Sequence, residues 1–301
     1  MFAHSDLSST PLPHTGNTPG RGGPGNTHAS RTGFYHLNHI KDIARQHLPN
    51  NSWLQARLRA NVNINSSCNA FWNGDTVNFY NAGGGCRNTA EISGVIVHEW
   101  GHGMDANDVS RGISRPSGEG IADVYAALYD GTSCMGRGFF SSNCNLKGDG
   151  CTDCTGVRDI DYMKHVSGKP HTMQWSNANC GGNVHCVGHV YSEAIWSLYV
   201  RKFPQLGYDD NTSKELTTNL LYKAAGNVAV WFSGNGNSNG GCFANSGYFA
   251  FLAADDDNGN INDGTPRECF SMTSKMLLSF SICLVSHSLF SFFGLQYFEK
   301  T

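Results

Sequence analysis

The sequence predicts an α+β fold, with a strand-bearing first lobe, a mainly helical second lobe and a helix carrying paired histidines between them. Three observations support this. Alternation of polar and apolar residues at period two is confined to residues 60–80. Helical spacing dominates beyond residue 105, between long loops. An apolar stem at Ile92, Val95, Ile96 and Val97 leads into His98 and His102 at the junction. Strands followed by helices, rather than alternating with them, is an α+β order.

Taken in order, residues 1–30 are polar and rich in Pro, Gly, Ser and Thr, and read as a disordered lead-in. Phe34, Leu37, Ile40, Ile43, Ala44 and Leu48 then recur at helical spacing, and Pro49-Asn50-Asn51 ends the run. Residues 60–66 and 75–80 alternate as half-buried strands do, with a turn and strand edge at 69–74 between them. A Gly-rich loop at 81–88 precedes a helix over 89–104. Further helices are expected at 118–129, 187–202, 213–225 and 243–254, with a Cys- and Gly-rich excursion over 131–156. The domain division is 31–106 for the first lobe, including the histidine helix, and 107–268 for the second.

Residues 269–301 break the pattern. Met276 to Phe298 carries no Asp, Glu, Lys or Arg, and its length would permit a membrane span. Its Ser content and abrupt onset instead suggest translated non-coding sequence, ahead of an anchor or a buried terminal helix. A membrane is therefore an expected partner only if this tail is a genuine anchor. The formal charge of −3 carries no polyanion-binding signature, so nucleic acid is not an expected partner.

The chain has 11 Cys, many in loop-rich stretches, which points to an oxidising compartment and hence to secretion. No secretory signal opens the chain; residues 1–30 lack an apolar core. Nearest-neighbour pairing proposes Cys68–Cys86, Cys180–Cys186 and Cys242–Cys269, internal pairing within 134–154, and Cys283 left over. Connectivity is not fixed by sequence. Cys151-x-x-Cys154 lacks a second pair at zinc-finger spacing, so a disulfide role is preferred.

The chemistry concentrates at His98-Glu99-Trp100-Gly101-His102. Positions i and i+4 share a helix face, so both imidazoles can meet one ion with Glu99 beside them. That is the H-E-x-x-H arrangement, two zinc ligands and a general base. Gly101 and Gly103 each cost a helix about 1 kcal/mol against Ala, which suggests close approach of another backbone. Glu119 and Asp123 form a second i, i+4 pair: Glu119 as third ligand, Asp123 as the carboxylate orienting a zinc imidazole. Asp105 and Asp108 are the alternative carboxylate ligands. They occupy the positions where a metzincin has its Gly and third His. Asp255-Asp256-Asp257-Asn258-Gly259-Asn260-Ile261-Asn262-Asp263 is dense enough in oxygen to hold Ca²⁺, although the spacing is not that of an EF-hand.

These segments resemble the thermolysin-like gluzincin zinc metallopeptidases, most closely the fungalysin type. Asn69-Ala70-Phe71-Trp72-Asn73-Gly74 is similar to the family's substrate-binding edge strand, implying that the Asn69 amide and Ala70 carbonyl bind peptide backbone. His98–Asp105 and Gly118–Asp123 match its zinc helices. Val184-His185-Cys186-Val187-Gly188-His189-Val190 resembles its Val-His-x-x-Gly-x-Val segment, implying that His185 stabilises the oxyanion. Read alone, His185 could equally cap the following helix, and His189 is better read as structural. Arg158 resembles the family's substrate-carbonyl arginine, against a plain loop arginine.

The resemblance implies a two-lobed zincin fold and a zinc-dependent endopeptidase with peptide or protein substrates. The alternatives are an inactive secreted binding protein on the same scaffold, or a zinc aminopeptidase. Nothing in the chain resembles the aminopeptidases' Gly-Ala-Met-Glu-Asn segment. Two departures stand out. Residues 103–118 contain no Tyr to help hold the oxyanion, and residues 176–184 contain no carboxylate to orient His185. Asn179, Asn183 or Asp153 are the substitutes considered for the latter.

Overall fold

The computed structural model describes residues 2–5, 25–108, 116–225, 247–260 and 265–266. A capping box starts the first helix: the Thr27 hydroxyl accepts from the Ser30 backbone N–H, and the Thr27 N–H donates to the Ser30 hydroxyl. Helix α1 (His28–His47) therefore begins earlier than its apolar periodicity implied. Strand β1 (Phe2–Ser5) also lies within the expected lead-in and pairs parallel with β2. The strand rests on backbone hydrogen bonds to β2, which composition does not display.

A short helix α2 (Ser52–Gln55) leads into β2 (Arg59–Ile64), β3 (Ala70–Trp72) and β4 (Thr76–Tyr80). The sheet order is β1-β2-β4-β3, which places β3 at an edge. It runs antiparallel to β4 with Phe71 opposite Asn78. The Cys68–Cys86 disulfide ties the approach to β3 to the Gly-rich loop after β4.

Asn88 caps a single 3-10 turn (Thr89–Glu91), and α3 (Ser93–Asn107) follows. Val95, Ile96, Val97, Trp100 and Met104 are buried, so α3 runs through the core rather than along its surface. Each such apolar side chain, fully buried, contributes roughly 1.5–3 kcal/mol. Across α3 lies α4 (Pro116–Asp130), and α4 packs in turn on α6 (Val184–Ser197).

Two glycines permit these contacts. A Cβ on Gly101 would lie 2.8 Å from Ala122 Cα, and one on Gly120 would lie 2.5 Å from the Gly188 carbonyl oxygen. Gly101 thus answers to a neighbouring backbone, as expected. Gly103 does not: the Trp53 ring occupies the space, 2.7 Å from its Cβ position.

The excursion over 131–156 folds as small hairpins stapled by Cys134–Cys154 and Cys144–Cys151, built from β5 (Cys134–Met135), β6 (Asn145–Leu146), β7 (Asp149–Gly150) and β8 (Arg158–Asp159). The Thr172 hydroxyl caps α5 (Met173–Asn179), a helix too short to show in the apolar pattern. The expected 187–202 helix is α6 continued by a π turn over Leu198–Lys202. After α7 (Phe203–Gln205), α8 (Asp210–Ala225) and α9 (Gly247–Asp255) are the last helices of the described residues. Cys180 pairs with Cys186. Cys242, Cys269, Cys283 and the apolar tail lie outside the described residues. Among the described residues no helix is long and apolar enough to cross a membrane.

Candidate metal centre

The buried stem of α3 leaves one face for His98 and His102, and that face turns toward α4. The two Nε2 atoms stand 3.1 Å apart. Glu119, in the first turn of α4, brings Oε2 to 3.4 Å from His98 Nε2 and Oε1 to 3.6 Å from His102 Nε2. Three ligands tetrahedrally placed around zinc lie about 3.3 Å from one another. Glu119 Oε2 is buried without a hydrogen-bond partner, a costly state that a cation would relieve. The donor set therefore fits a divalent ion. Glu119 completes it, while Asp105 and Asp108 stand apart near Tyr125.

Around these three lies a second layer. Asp123, one turn beyond Glu119 and fully buried, places Oδ1 2.8 Å from His98 Nδ1. Its carboxylate also accepts from Arg158, Nε at 2.5 Å and Nη2 at 2.8 Å. Arg158 Nη2 is 3.6 Å from Glu119. The arginine is thus buried and fastened to the carboxylates, not a solvated loop residue.

Electrostatics follow from that layering. Burial opposes the charged form of His98, but hydrogen bonds to Asp123 and Glu119 prevail and hold it up to about 10. Burial and the neighbouring His98 cation push His102 down to about 4. Burial would raise Asp123, yet Arg158 and His98 hold it far below the usual carboxylate range. Glu119 is likewise held low against burial, by His98 first. A divalent cation bound among these groups would take the place of the proton on His98.

Glu99 sits beside the cluster, buried, and accepts from the Trp72 backbone N–H of β3. Burial pushes its carboxyl up to about 7, with His98 pulling the other way. A carboxyl near neutrality can both take and return a proton. The Trp72 contact was not visible in the sequence, because it joins two elements through the backbone.

His98, Glu99, His102 and Glu119 line a cleft of about 810 Å³ that also receives Asn69, Ala70, Trp72, Arg158 and His185. Every residue assigned to the site from sequence, apart from Asp123 behind it, faces this one cleft. His185 stands at its mouth, about half exposed, with Nε2 3.3 Å from Glu119 Oε1. Burial holds its imidazole below the usual range, with Arg158 and His98 acting in the same direction and the Glu119 carboxylate opposing them.

The residues considered for orienting His185 are engaged elsewhere. Asn183 caps α6 through the Cys186 N–H, Asn179 donates to the Trp175 carbonyl, and Asp153 pairs with Arg137. What fixes the segment is the Cys180–Cys186 disulfide flanking His185. The acidic turn after α9 gathers no comparable ligand set among the described residues, and residues 261–264 lie outside them.

Comparison with known proteins adds three findings. Residues 72–242 match the family model described as fungalysin metallopeptidase (M36). The solved precursor of protealysin, a metalloproteinase from Serratia proteamaculans, is similar with a TM-score of 0.60 and 15% identity, over 93% of this chain and 86% of that one. At that identity the likeness speaks for the fold. No curated protein matches the chain.

Proposed function

The chain belongs to the fungalysin metallopeptidase family, and on that premise we propose that it is a secreted, zinc-dependent endopeptidase whose ligands are His98, His102 and Glu119. The observation that carries this reading is the meeting of the two Nε2 atoms and the Glu119 carboxylate within 3.6 Å, with Glu99 alongside and the cleft open above. Two His and one Glu are a zinc donor set that leaves a fourth position for solvent or substrate. Zn²⁺ held there supplies a Lewis acid that activates water and polarises the scissile carbonyl.

The chain's own groups do the rest. Glu99 takes a proton from the attacking water and returns it to the leaving nitrogen. His185, neutral, donates its N–H to the carbonyl oxygen as negative charge develops there. Asp123 holds the His98 ring and its tautomer through Nδ1. Because β3 is an edge strand, its outer backbone groups can pair with an extended peptide, with the Asn69 amide and Ala70 carbonyl as anchors. Arg158 has Nε and Nη2 committed to Asp123, so it would meet a substrate carbonyl through Nη1. The substrate would lie between the lobe of residues 31–106 and that of 107–268.

Four disulfides among the described residues accord with secretion. The test is cleavage of a peptide blocked at both ends, before and after chelation. Cleavage that disappears with the metal and returns with Zn²⁺ is expected. Attack on free amino termini alone would make the protein an aminopeptidase. A zinc-loaded chain that cleaves neither substrate would make it a binding protein.

A further inference from the structure

Away from the cleft, a second group of potential metal ligands is buried among the excursion, the loop before α5 and α6. Asp149 of β7, His165, His171 and the α6 pair His189 and Glu193 are all buried. Asp149 Oδ2 lies 3.6 Å from His165 Nδ1 and 3.0 Å from His171 Nε2. These spacings bracket the roughly 3.3 Å expected between ligands on one zinc ion. They also match those between His98, His102 and Glu119.

The hydrogen bonds around the group are those of a ligand set. His165 Nε2 meets the Asp159 carbonyl at 2.6 Å, so Nε2 carries the proton and Nδ1 presents its lone pair to the cluster. His171 Nδ1 meets Glu193 Oε1 at 2.7 Å, and the His171 backbone N–H donates to Glu193 Oε2 at 2.8 Å. A ligating imidazole with its other nitrogen bonded to a carboxylate or backbone carbonyl is the usual arrangement at a metal. Asp149 is steadied by Ser167, whose N–H donates to Oδ1 and whose hydroxyl donates to Oδ2. His189 Nδ1 is 3.4 Å from Glu193 Oε1.

Two nitrogens remain unexplained by this network. His165 Nδ1 and His189 Nε2 are buried and have no hydrogen-bond partner. An unsatisfied buried polar atom is costly, and both occur in one cluster. A cation held by Asp149, His165 and His171 answers the first. We propose that Asp149, His165 and His171 bind a second zinc ion that is structural rather than catalytic.

Imidazole nitrogen and one carboxylate oxygen favour Zn²⁺ over Ca²⁺ or Mg²⁺. All three ligands are buried and none lines the cleft, so the site is closed to substrate. The ion would clasp the excursion to the 160–172 loop, and His171 carries the link on to α6 through Glu193. That places it behind two parts of the cleft: Arg158, adjacent to the carbonyl that receives His165, and α6, whose first turn carries His185. The alternative occupant is a proton on His171, shared between Glu193 and Asp149.

The test measures zinc per chain by mass spectrometry and locates it by anomalous scattering at the zinc edge. It uses the full unaltered chain and the His98→Ala/His102→Ala variant, both equilibrated with Zn²⁺. Two ions are expected in the unaltered chain and one in the variant, with its peak among Asp149, His165 and His171. His165→Ala/His171→Ala should lose one ion; if it does not fold, the unaltered chain's anomalous map decides alone. One ion confined to the cleft would overturn the proposal in favour of the shared proton. One ion at the second set and none in the cleft would sustain it while overturning the catalytic reading. No ion at either place would overturn both.

Discussion

Replacing Gly101 with Ala tests whether α3 and α4 are held at the separation the metal ligands need. An added Cβ would stand 2.8 Å from Ala122 Cα, 3.1 Å from Ala122 Cβ and 3.4 Å from Tyr125 Cδ2. The first of these meets backbone, which cannot rotate aside, so the helices must separate by some tenths of an ångström. Overpacking of this kind costs about 1–3 kcal/mol. Against it, Ala in place of Gly returns about 1 kcal/mol of helix propensity. The balance is a loss of roughly 0–2 kcal/mol, where propensity alone predicts a gain.

For a chain of this size that is a fall in Tm of up to about 3 °C. The measurement is thermal unfolding after chelation, on a Glu99→Gln background to prevent self-digestion. Separation of the helices would also stretch the 3.4 and 3.6 Å gaps between Glu119 and the histidines, so zinc affinity should fall in parallel. A variant that melts higher than its parent, with zinc affinity unchanged, would refute the close-packing argument.

Asp123→Asn should weaken zinc binding about 10–100-fold, since His98 loses its charged partner. It should also destabilise the fold by about 3–5 kcal/mol, because Arg158 is left buried without its ion pair. Competition with a chelator and urea unfolding report the two effects, and an unchanged zinc affinity would remove Asp123 from the site. His185→Ala should lower kcat about 10²–10³-fold with zinc content unaltered; a change confined to KM would argue against an oxyanion role. Cys180→Ser/Cys186→Ser should lower kcat by releasing the His185 segment, yet add little on top of His185→Ala. Independent losses in that double-mutant cycle would show that the disulfide does not act through His185.

How much of this was legible depended on sequence distance. His98 and His102 are one helical turn apart, and Glu119 and Asp123 likewise, so a face rule placed them before any coordinates. Edge strand β3 and the Cys68–Cys86 and Cys180–Cys186 pairs were short-range as well. Arg158 was noticed for its resemblance but not for its bond to Asp123, because the two meet across 35 residues with no periodic pattern between them. The second histidine cluster was invisible for the same reason. Its members are scattered from Asp149 to Glu193, and His189 alone looked structural. Gly103 misled because a glycine signals nearby bulk without saying whether it is backbone or, as here, the Trp53 ring.

The central claim is that Glu99 moves protons at an ion held by His98, His102 and Glu119. It is tested most directly by comparing the unaltered chain with Glu99→Gln for zinc content and for cleavage of a denatured protein. The account predicts equal zinc in both and cleavage lost by at least about 10²-fold in the variant. Undiminished cleavage by Glu99→Gln, or cleavage by an unaltered chain stripped of metal, would contradict it.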